Sequence, residues 1–337
     1  MILPLLGLII GVLGLLWGAD RFVAGAAAAA KNYGISPLVI GLTVVSIGTS
    51  APEVLVSVNA ALSHAGELAV GNAIGSNLAN IGLVLGVTAL IAAIPVQKHL
   101  LTQEGAALLI VTAAAGICLY DGFLGRGESL FLAALVFPLI VIAIKYKKNH
   151  ISPEEEATSE DIPDLTTGAA TLWFCLGLAV LLASADITVW SAKSIAQSMG
   201  ISELVIGLTV VAIGTSLPEL AASAVSAARG HHDIAIGNVF GSNLFNILLV
   251  MTAAGAISPT DLSAQVFSRD YVSLALMTLL MIAMVGYALF KSKRTRTPAR
   301  IPRAFGFILI GAYALYLWFC GHPLLPPLNS LFRHPHV

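Results

Sequence analysis

Residues 38–53 read LVIGLTVVSIGTSAPE and residues 204–219 read LVIGLTVVAIGTSLPE, so one segment occurs twice, 166 residues apart (219 minus 53). The same offset relates GNAIGSNLANI at 71–81 to GNVFGSNLFNI at 237–247. Matches at one constant spacing indicate the internal duplication of a structural unit. We therefore expect the two halves of the chain to share one fold.

The composition is that of a membrane protein. Of 337 residues, 57% are hydrophobic and 10% are charged, whereas a soluble domain carries roughly 25% charged residues. Apolar runs long enough to cross a bilayer recur along the chain, and their unbroken character favours helices over the alternating pattern of barrel strands. We predict an all-α membrane protein with ten transmembrane helices, near residues 2–30, 37–63, 68–94, 101–119, 127–146, 168–197, 204–228, 233–257, 269–290 and 302–319.

Other functional classes find little support in the sequence. The net charge is −1 and no basic patch is present, which argues against nucleic acid as a partner. Cys118, Cys175 and Cys320 are isolated in apolar stretches, without disulfide or metal-site spacing. No nucleophile with a base, phosphate loop or cofactor motif appears, so we expect neither an enzyme nor a cofactor. The apolar N-terminus has no Lys or Arg before Arg21, which favours a first span over a cleaved signal peptide.

An acidic stretch divides the chain into halves. Residues 145–167 are the one soluble-looking segment, with acidic side chains at Glu154, Glu155, Glu156, Glu160, Asp161 and Asp164. We assign a first five-helix repeat to residues 1–146, a cytoplasmic acidic linker to 147–167, a second repeat to 168–320 and a C-terminal tail to 321–337. Because five spans are an odd number, the second repeat is inverted relative to the first. Inverted repeats are typical of secondary transporters.

The distribution of basic residues predicts the orientation. With the N-terminus outside, twelve Lys or Arg residues fall in inner loops and four in outer loops, leaving aside Arg21 within the first span. Cytoplasmic loops carry the excess of Lys and Arg. We therefore predict a multi-pass protein of the cell membrane, the inner membrane if the source is prokaryotic, with both termini outside.

Two glutamates lie midway along apolar segments. Glu53 and Glu219 occupy equivalent positions, and no Lys or Arg lies in the same predicted helix. An ionised carboxylate inside the membrane is costly unless it is paired or lines a watery cavity, so a bound cation is the natural partner. Hydroxyl side chains share the helical side of each glutamate: Thr49 and Ser50 in the first half, Thr215 and Ser216 in the second.

The surrounding residues supply further oxygen atoms. Pro52 and Pro218 lack an N–H, and are expected to break their helices and free nearby carbonyls, from Ser46 to Thr49 and from Ala212 to Thr215. A second polar stripe recurs every four residues in the third and eighth spans: Asn72, Ser76 and Asn80, then Asn238, Ser242 and Asn246. We predict broken helices 2, 3, 7 and 8 around a central ion site. Carboxylate, amide, hydroxyl and carbonyl oxygens select hard cations such as Ca²⁺ or Na⁺.

These motifs resemble those of the sodium/calcium exchanger family within the cation/calcium antiporter superfamily, especially its prokaryotic members. The resemblance implies that Glu53 and Glu219 coordinate Ca²⁺ with the carbonyls of Thr49 and Thr215. It implies Na⁺ sites at Ser50, Ser216, Ser76, Ser242 and the carbonyls of Ser46 and Ala212, with Asn80 and Asn246 lining the centre. In potassium-dependent relatives the position matching Asn246 is an aspartate, so its absence here argues against K⁺ cotransport.

The sequence therefore predicts an antiporter that exchanges Na⁺ for Ca²⁺ by alternating access, extruding Ca²⁺ as a functional monomer while its first and sixth spans move against the core. Two alternatives stay open: a Ca²⁺/H⁺ or other cation/H⁺ antiporter, and a cation channel. Asp20 and its equivalent Asp186 are interpreted either as structural pairing near a helix end or as contacts that gate the moving helices. His231 and His232 are interpreted as loop residues.

Overall fold

A computed structural model describes residues 2–137, 163–199 and 212–321. Its helices are α1 (Ile2–Tyr33), α2 (Pro37–Thr49), α3 (Ala51–Leu62), α4 (Gly66–Ile91), α5 (Leu100–Leu119), α6 (Arg126–Ala134), α7 (Thr167–Ser198), α8 (Ala212–Thr215), α9 (Leu217–Ala228), α10 (His232–Ile257), α11 (Val266–Thr295) and α12 (Arg303–Gly321). The strands are β1 (Ile94–Pro95), β2 (Phe123–Leu124), β3 (Thr260–Asp261) and β4 (Arg300–Ile301).

The described part confirms an all-helical membrane protein. Seven helices are long and apolar enough to cross a bilayer, or eight if the bent pair α2–α3 counts as one span. The predicted fifth and seventh spans reach into residues 138–146 and 204–211, which lie outside the described residues, as do 147–162 of the linker and 322–337 of the tail. The count of ten spans therefore stays a prediction. Helix α7 begins at Thr167, one residue before the predicted start of the second repeat.

Helices α1 and α7 form an antiparallel pair at the edge of the molecule. Gly7 of α1 lies against Ser191 of α7, whereas Gly25 lies against the backbone of Phe174. A Cβ atom at Gly25 would collide with that backbone, so the small residues are what allows the helices to approach. Apolar side chains of this pair, such as Leu13, are exposed on the protein surface.

The ends of this pair are also joined. The Lys31 Nζ atom donates a hydrogen bond of 2.6 Å to Asp164, and the Asn32 amide donates one of 2.9 Å to the Leu165 carbonyl. The hydrogen bond and the positive charge of Lys31 hold the pKa of Asp164 below its usual value. The segment before α7 is therefore fastened to the end of α1.

Helices α4 and α10 lie at the centre and are the most buried of the long apolar helices that the structure describes. Helix α2 crosses α10 where glycines face each other: a Cβ atom at Gly41 would lie 2.7 Å from the Ile234 carbonyl oxygen and 3.1 Å from the Gly237 Cα. Gly241, one turn further along α10, lies against Ser46. Because these glycines have no side chain, a helix of the first half can pack backbone to backbone against a helix of the second half.

The short strands join the halves reciprocally. Strand β1 pairs antiparallel with β4, and β2 pairs antiparallel with β3. Strands β1 and β3 stand at equivalent positions, 166 residues apart (260 minus 94). In each half, the strand that follows the third span (β1 after α4, β3 after α10) pairs with a strand of the other half. That partner strand follows the fourth span (β4 after α11, β2 after α5). A reciprocal exchange of this kind is what a two-fold relation between duplicated units produces.

The predicted helix breaks differ between the spans. Helices α2 and α3 are bent by 45° at Ser50, and Ser216 separates α8 from α9. The third and eighth spans were expected to be broken, but α4 and α10 each run on through a π-helical stretch, Asn80–Val84 and Asn246–Met251. Neither stretch contains a proline, so each backbone N–H stays available and the helix widens instead of ending.

Candidate cation site

Glu53 and Glu219 are placed at helix starts deep inside the protein. Each is the third residue of its helix, α3 or α9, directly after a proline in the second position. Their side chains are 0% and 1% exposed. Backbone N–H groups at a helix N-terminus favour a negative charge there. The sequence thus presents two carboxylates at sites that stabilise charge but exclude bulk water.

Neither carboxylate has a cationic side chain as partner within the described ranges. A second pair of buried acids, Glu104 and Asp270, shows the contrast, and it too occupies equivalent positions (270 minus 104 is 166). Glu104 lies 3.3 Å from His99, and Asp270 lies 2.7 Å from Arg269. Buried carboxylates are ordinarily paired. Glu53 and Glu219 therefore differ from the structural acids of the same protein.

Ser50 connects the two halves at this site. Its hydroxyl donates a hydrogen bond of 2.9 Å to Oε1 of Glu219 and lies 3.1 Å from the Ser242 hydroxyl. The bend between α2 and α3 aims this hydroxyl at the second half, because the helix axis turns at Ser50 itself. Three residues predicted from separate motifs are thus in direct contact.

Glu53 is the equivalent carboxylate in the first half. Ser76 is next to its carboxylate. Both carboxylate oxygens of Glu53 and Oε2 of Glu219 have no hydrogen-bond partner among the described residues. Buried carboxylate oxygens without a partner are stabilised by a cation that binds to them.

Asn80 and Asn246 occur where α4 and α10 widen into their π-helical stretches. Both side chains are fully buried, and both atoms of each amide group lack a hydrogen-bond partner in the part of the chain that the structure describes. The buried Ser216 hydroxyl shares this property. A buried polar group without a partner costs about 1–3 kcal/mol. These orphaned atoms fit a hydrated or ionic occupant.

The carbonyl groups near the bend accept hydrogen bonds in a pattern that differs from the predicted one. The Ser46 carbonyl was expected to be free, but it accepts a hydrogen bond of 3.0 Å from the Ser50 N–H and lies 3.4 Å from the Thr49 hydroxyl. Pro52 frees a different one, since the Gly48 carbonyl loses the donor four residues further on. In the second half, the Ser216 N–H bonds to Ile213 at 3.1 Å, three residues back. The Ser216 N–H therefore does not repeat, with the carbonyl of Ala212, the bond that the Ser50 N–H makes with the carbonyl of Ser46.

Two asparagines contact the main chain of the glutamates. The Asn72 amide donates to the Glu53 carbonyl at 3.2 Å and to the Ser57 hydroxyl at 3.1 Å. Asn238 repeats this with the Glu219 carbonyl at 3.4 Å and the Ser223 hydroxyl at 2.9 Å. The sequence reasoning had placed the asparagines in the polar stripe but had missed both serines. Applying the 166-residue offset to every polar residue would have found them, since Ser57 and Ser223 obey it.

Asp20 and Asp186 do not join this site. Asp20 forms an ion pair with Arg229, at the end of α9, whereas Asp186 is exposed on α7. Arg21, the next residue in α1, lies over the rings of Trp17 and Trp173. The contact is an ion pair between α1 and the end of α9, and both interpretations of Asp20 stay predictions.

The comparisons with known proteins agree with this arrangement. The profile of the family described as "Sodium/calcium exchanger protein" matches residues 3–145 and 169–321. Sodium/calcium exchanger MaX1 of Methanosarcina acetivorans is 32% identical over 312 residues, which cover 82% of this chain and 89% of that protein. Inner membrane protein YrbG of Escherichia coli (strain K12) is 37% identical over 315 residues, covering 92% of this chain and 94% of that protein.

A solved structure extends the likeness to three dimensions. The sodium-calcium exchanger NCX_Mj, in crystals soaked with Na⁺ and Sr²⁺, superposes with a TM-score of 0.79 at 32% identity. The match covers 94% of this chain and 98% of that one. The matched residues include both glutamates and both polar stripes. The chain belongs to the sodium/calcium exchanger family.

Proposed function

We propose that this protein is a secondary active antiporter that exchanges Na⁺ for Ca²⁺ across the membrane by alternating access. The observation that carries the proposal is the pair Glu53 and Glu219, both fully buried and without a cationic partner among the described residues. One Ca²⁺ or two Na⁺ neutralise two carboxylates. Because either occupancy relieves the same buried charge, one site serves both ions.

The ligand set is that of a hard cation. In this proposal Glu53 and Glu219 bind Ca²⁺ together with the carbonyls of Thr49 and Thr215. Na⁺ is held by hydroxyl and carbonyl oxygens, and the two central amides line the site: Ser50, Ser216, Ser76, Ser242, Ser46, Ala212, Asn80 and Asn246. The contact of Ser50 with Glu219 and Ser242 supports a common site for these groups.

Alternating access requires one part of the protein to move against another. The pair of α1 and α7 is suited to this, because its helices pack along their whole length and are joined at their ends by Lys31 and Asp164. The core of α4 and α10 holds the site. We propose that the pair moves as a unit against this core, with both termini outside, the acidic linker in the cytoplasm and one chain sufficient for transport.

The test is Na⁺-gradient-driven ⁴⁵Ca²⁺ uptake into proteoliposomes. Glu53→Gln and Glu219→Gln are expected to abolish uptake, because each removes one of the two charges that balance Ca²⁺. Glu104→Gln is the matched control: it changes a buried carboxylate that has its own partner, His99, outside the site. Undiminished transport in either of the first two variants would contradict the assignment.

The coupling ion is tested in the same vesicles. Na⁺ exchange is supported if Ca²⁺ uptake requires a Na⁺ gradient and a pH gradient does not drive it in place of Na⁺. Calcium uptake driven equally well by a pH gradient with Na⁺ absent would instead make the protein a Ca²⁺/H⁺ antiporter, since protons also discharge carboxylates. Ca²⁺ flux driven by membrane potential alone distinguishes an electrogenic cycle, such as three Na⁺ per Ca²⁺, from an electroneutral one.

A further inference from the structure

Asn238 contacts both halves of the molecule at the level of the glutamates. Its amide nitrogen lies 3.4 Å from the Glu219 carbonyl and 2.9 Å from the Ser223 hydroxyl, both on α9. Its amide oxygen accepts a hydrogen bond of 3.1 Å from the Thr49 hydroxyl, on α2. The side chain is fully buried, so water does not compete for these bonds. One amide group therefore fixes three partners on two helices.

The geometry makes this contact sensitive to helix position. The Glu219 carbonyl and the Ser223 hydroxyl lie one helical turn apart on α9, and one amide nitrogen of α10 reaches both. A displacement of α9 by one residue along α10 would break both bonds. Asn72 makes the same two contacts with Glu53 and Ser57 in the first half. The duplication of these two contacts distinguishes them from incidental hydrogen bonds.

The three partners belong to the ion site or adjoin it. Glu219 supplies a carboxylate from the second half, and Thr49 is the residue whose carbonyl is proposed to bind Ca²⁺ from the first. Ser50, the neighbour of Thr49, already donates to the Glu219 carboxylate at 2.9 Å. Asn238 thus sets the separation of two main-chain segments that must approach one ion from opposite halves.

We propose that Asn238 and its equivalent Asn72 are positioning residues, which hold the glutamate-bearing helices in register for ion binding, and that Asn238 couples the halves through Thr49. This inference rests on the proposed function only in taking the glutamates as cation ligands. It predicts an effect on ion affinity, because misplacing a ligand by a fraction of an ångström weakens binding without removing charge.

The experiment measures ion binding and transport on the same purified full-length variants. Binding is read as the shift in melting temperature with increasing Ca²⁺ or Na⁺ in detergent, since a ligand that binds only the folded state stabilises it. Transport is read as ⁴⁵Ca²⁺ uptake against Ca²⁺ concentration in proteoliposomes. The variants are Asn238→Ala, Thr49→Val, the double variant and Ser223→Ala. Thr88→Val is the control, because Thr88 is also buried but, among the described residues, its hydroxyl bonds only to Val84 of its own helix.

We expect Asn238→Ala to raise the half-saturating Ca²⁺ concentration about tenfold and Thr49→Val about threefold, as loss of one to three buried hydrogen bonds implies. The double variant should resemble Asn238→Ala alone, because the Thr49 bond is already lost in it. Ser223→Ala should raise the concentration about twofold to threefold, since the Glu219 bond is kept. Thr88→Val should leave it unchanged.

A purely structural role would lower the melting temperature without moving the half-saturating concentrations, and that result overturns the proposal. If the factors by which Asn238→Ala and Thr49→Val raise the half-saturating Ca²⁺ concentration multiply fully in the double variant, the coupling of the halves through Thr49 and Asn238 is overturned. If Asn238→Ala does not yield monodisperse protein, Thr49→Val and Ser223→Ala decide the same question. A wild-type protein that binds Ca²⁺ but fails to transport it would overturn the proposed function, while the binding curves would still test the asparagines.

Discussion

Arg229, directly after the last residue of α9, forms an ion pair with Asp20 of α1, and the described residues hold no equivalent contact in the first half. The position equivalent to Arg229 is Ser63 (229 minus 166), and the residue equivalent to Asp20 is the exposed Asp186. A groove lined by Leu13, Leu16, Trp17, Val225 and Ala228 surrounds the pair. One face of the molecule therefore carries an ionic link between the α1–α7 pair and the core, which duplication alone does not produce.

Arg229→Ser should lower the stability of the protein, because it gives the second half the residue of the first and leaves Asp20 without its cation beside apolar side chains. The side chains are 36% and 31% exposed, so we expect a loss of about 1 kcal/mol and a fall in melting temperature of about 2–4 °C. The measurement is thermal unfolding in detergent. Asp20→Asn with Arg229→Ser should recover part of the loss, and strictly additive single effects would show that the pair contributes no coupling.

Gly41→Ala should disrupt the contact between α2 and α10. The new methyl group would lie 2.7 Å from the Ile234 carbonyl oxygen, a backbone atom that moves only with its helix. Overpacking of this kind typically costs about 1–3 kcal/mol. The matched control is Gly311→Ala in α12, where a Cβ atom would have no described residue within 4 Å. We expect the control to be neutral or more stable, since alanine is favoured over glycine in helices by about 1 kcal/mol. Equal yields of folded protein for both variants would refute the close-contact argument.

Calcium exchange should be independent of K⁺. Asn246 carries no charge, so two carboxylates stand at the centre and one Ca²⁺ balances them. Removing K⁺ from both sides of the vesicle is expected to leave Na⁺-driven Ca²⁺ uptake unchanged. Asn246→Asp adds a third carboxylate, which one Ca²⁺ no longer neutralises, and should make uptake depend on an additional monovalent cation. Stimulation of the wild-type protein by K⁺ would contradict the assignment of a two-carboxylate centre.

Much of the candidate site was predictable because duplication repeats its chemistry. The unpaired state of Glu53 and Glu219 followed from apolar flanks without Lys or Arg, and the described structure agrees with it. The bend at Ser50 followed from Pro52, which cannot donate to the preceding turn. Helices α4 and α10 were less predictable, since a π-helical stretch needs no special residue and depends on how neighbouring helices pack.

The sequence by itself determined the membrane composition, the duplication and the depth of the two glutamates, because each is encoded in local hydropathy and in a constant offset. Only the tertiary structure decided which residues of one half meet those of the other. Ser50 with Glu219, Thr49 with Asn238 and Asp20 with Arg229 are contacts between residues separated by 169, 189 and 209 positions (229 minus 20). Helical periodicity specifies which face a residue occupies, but its partner is set by how the helices cross. For Thr49 and Asn238, the glycine contacts between α2 and α10 allow that crossing.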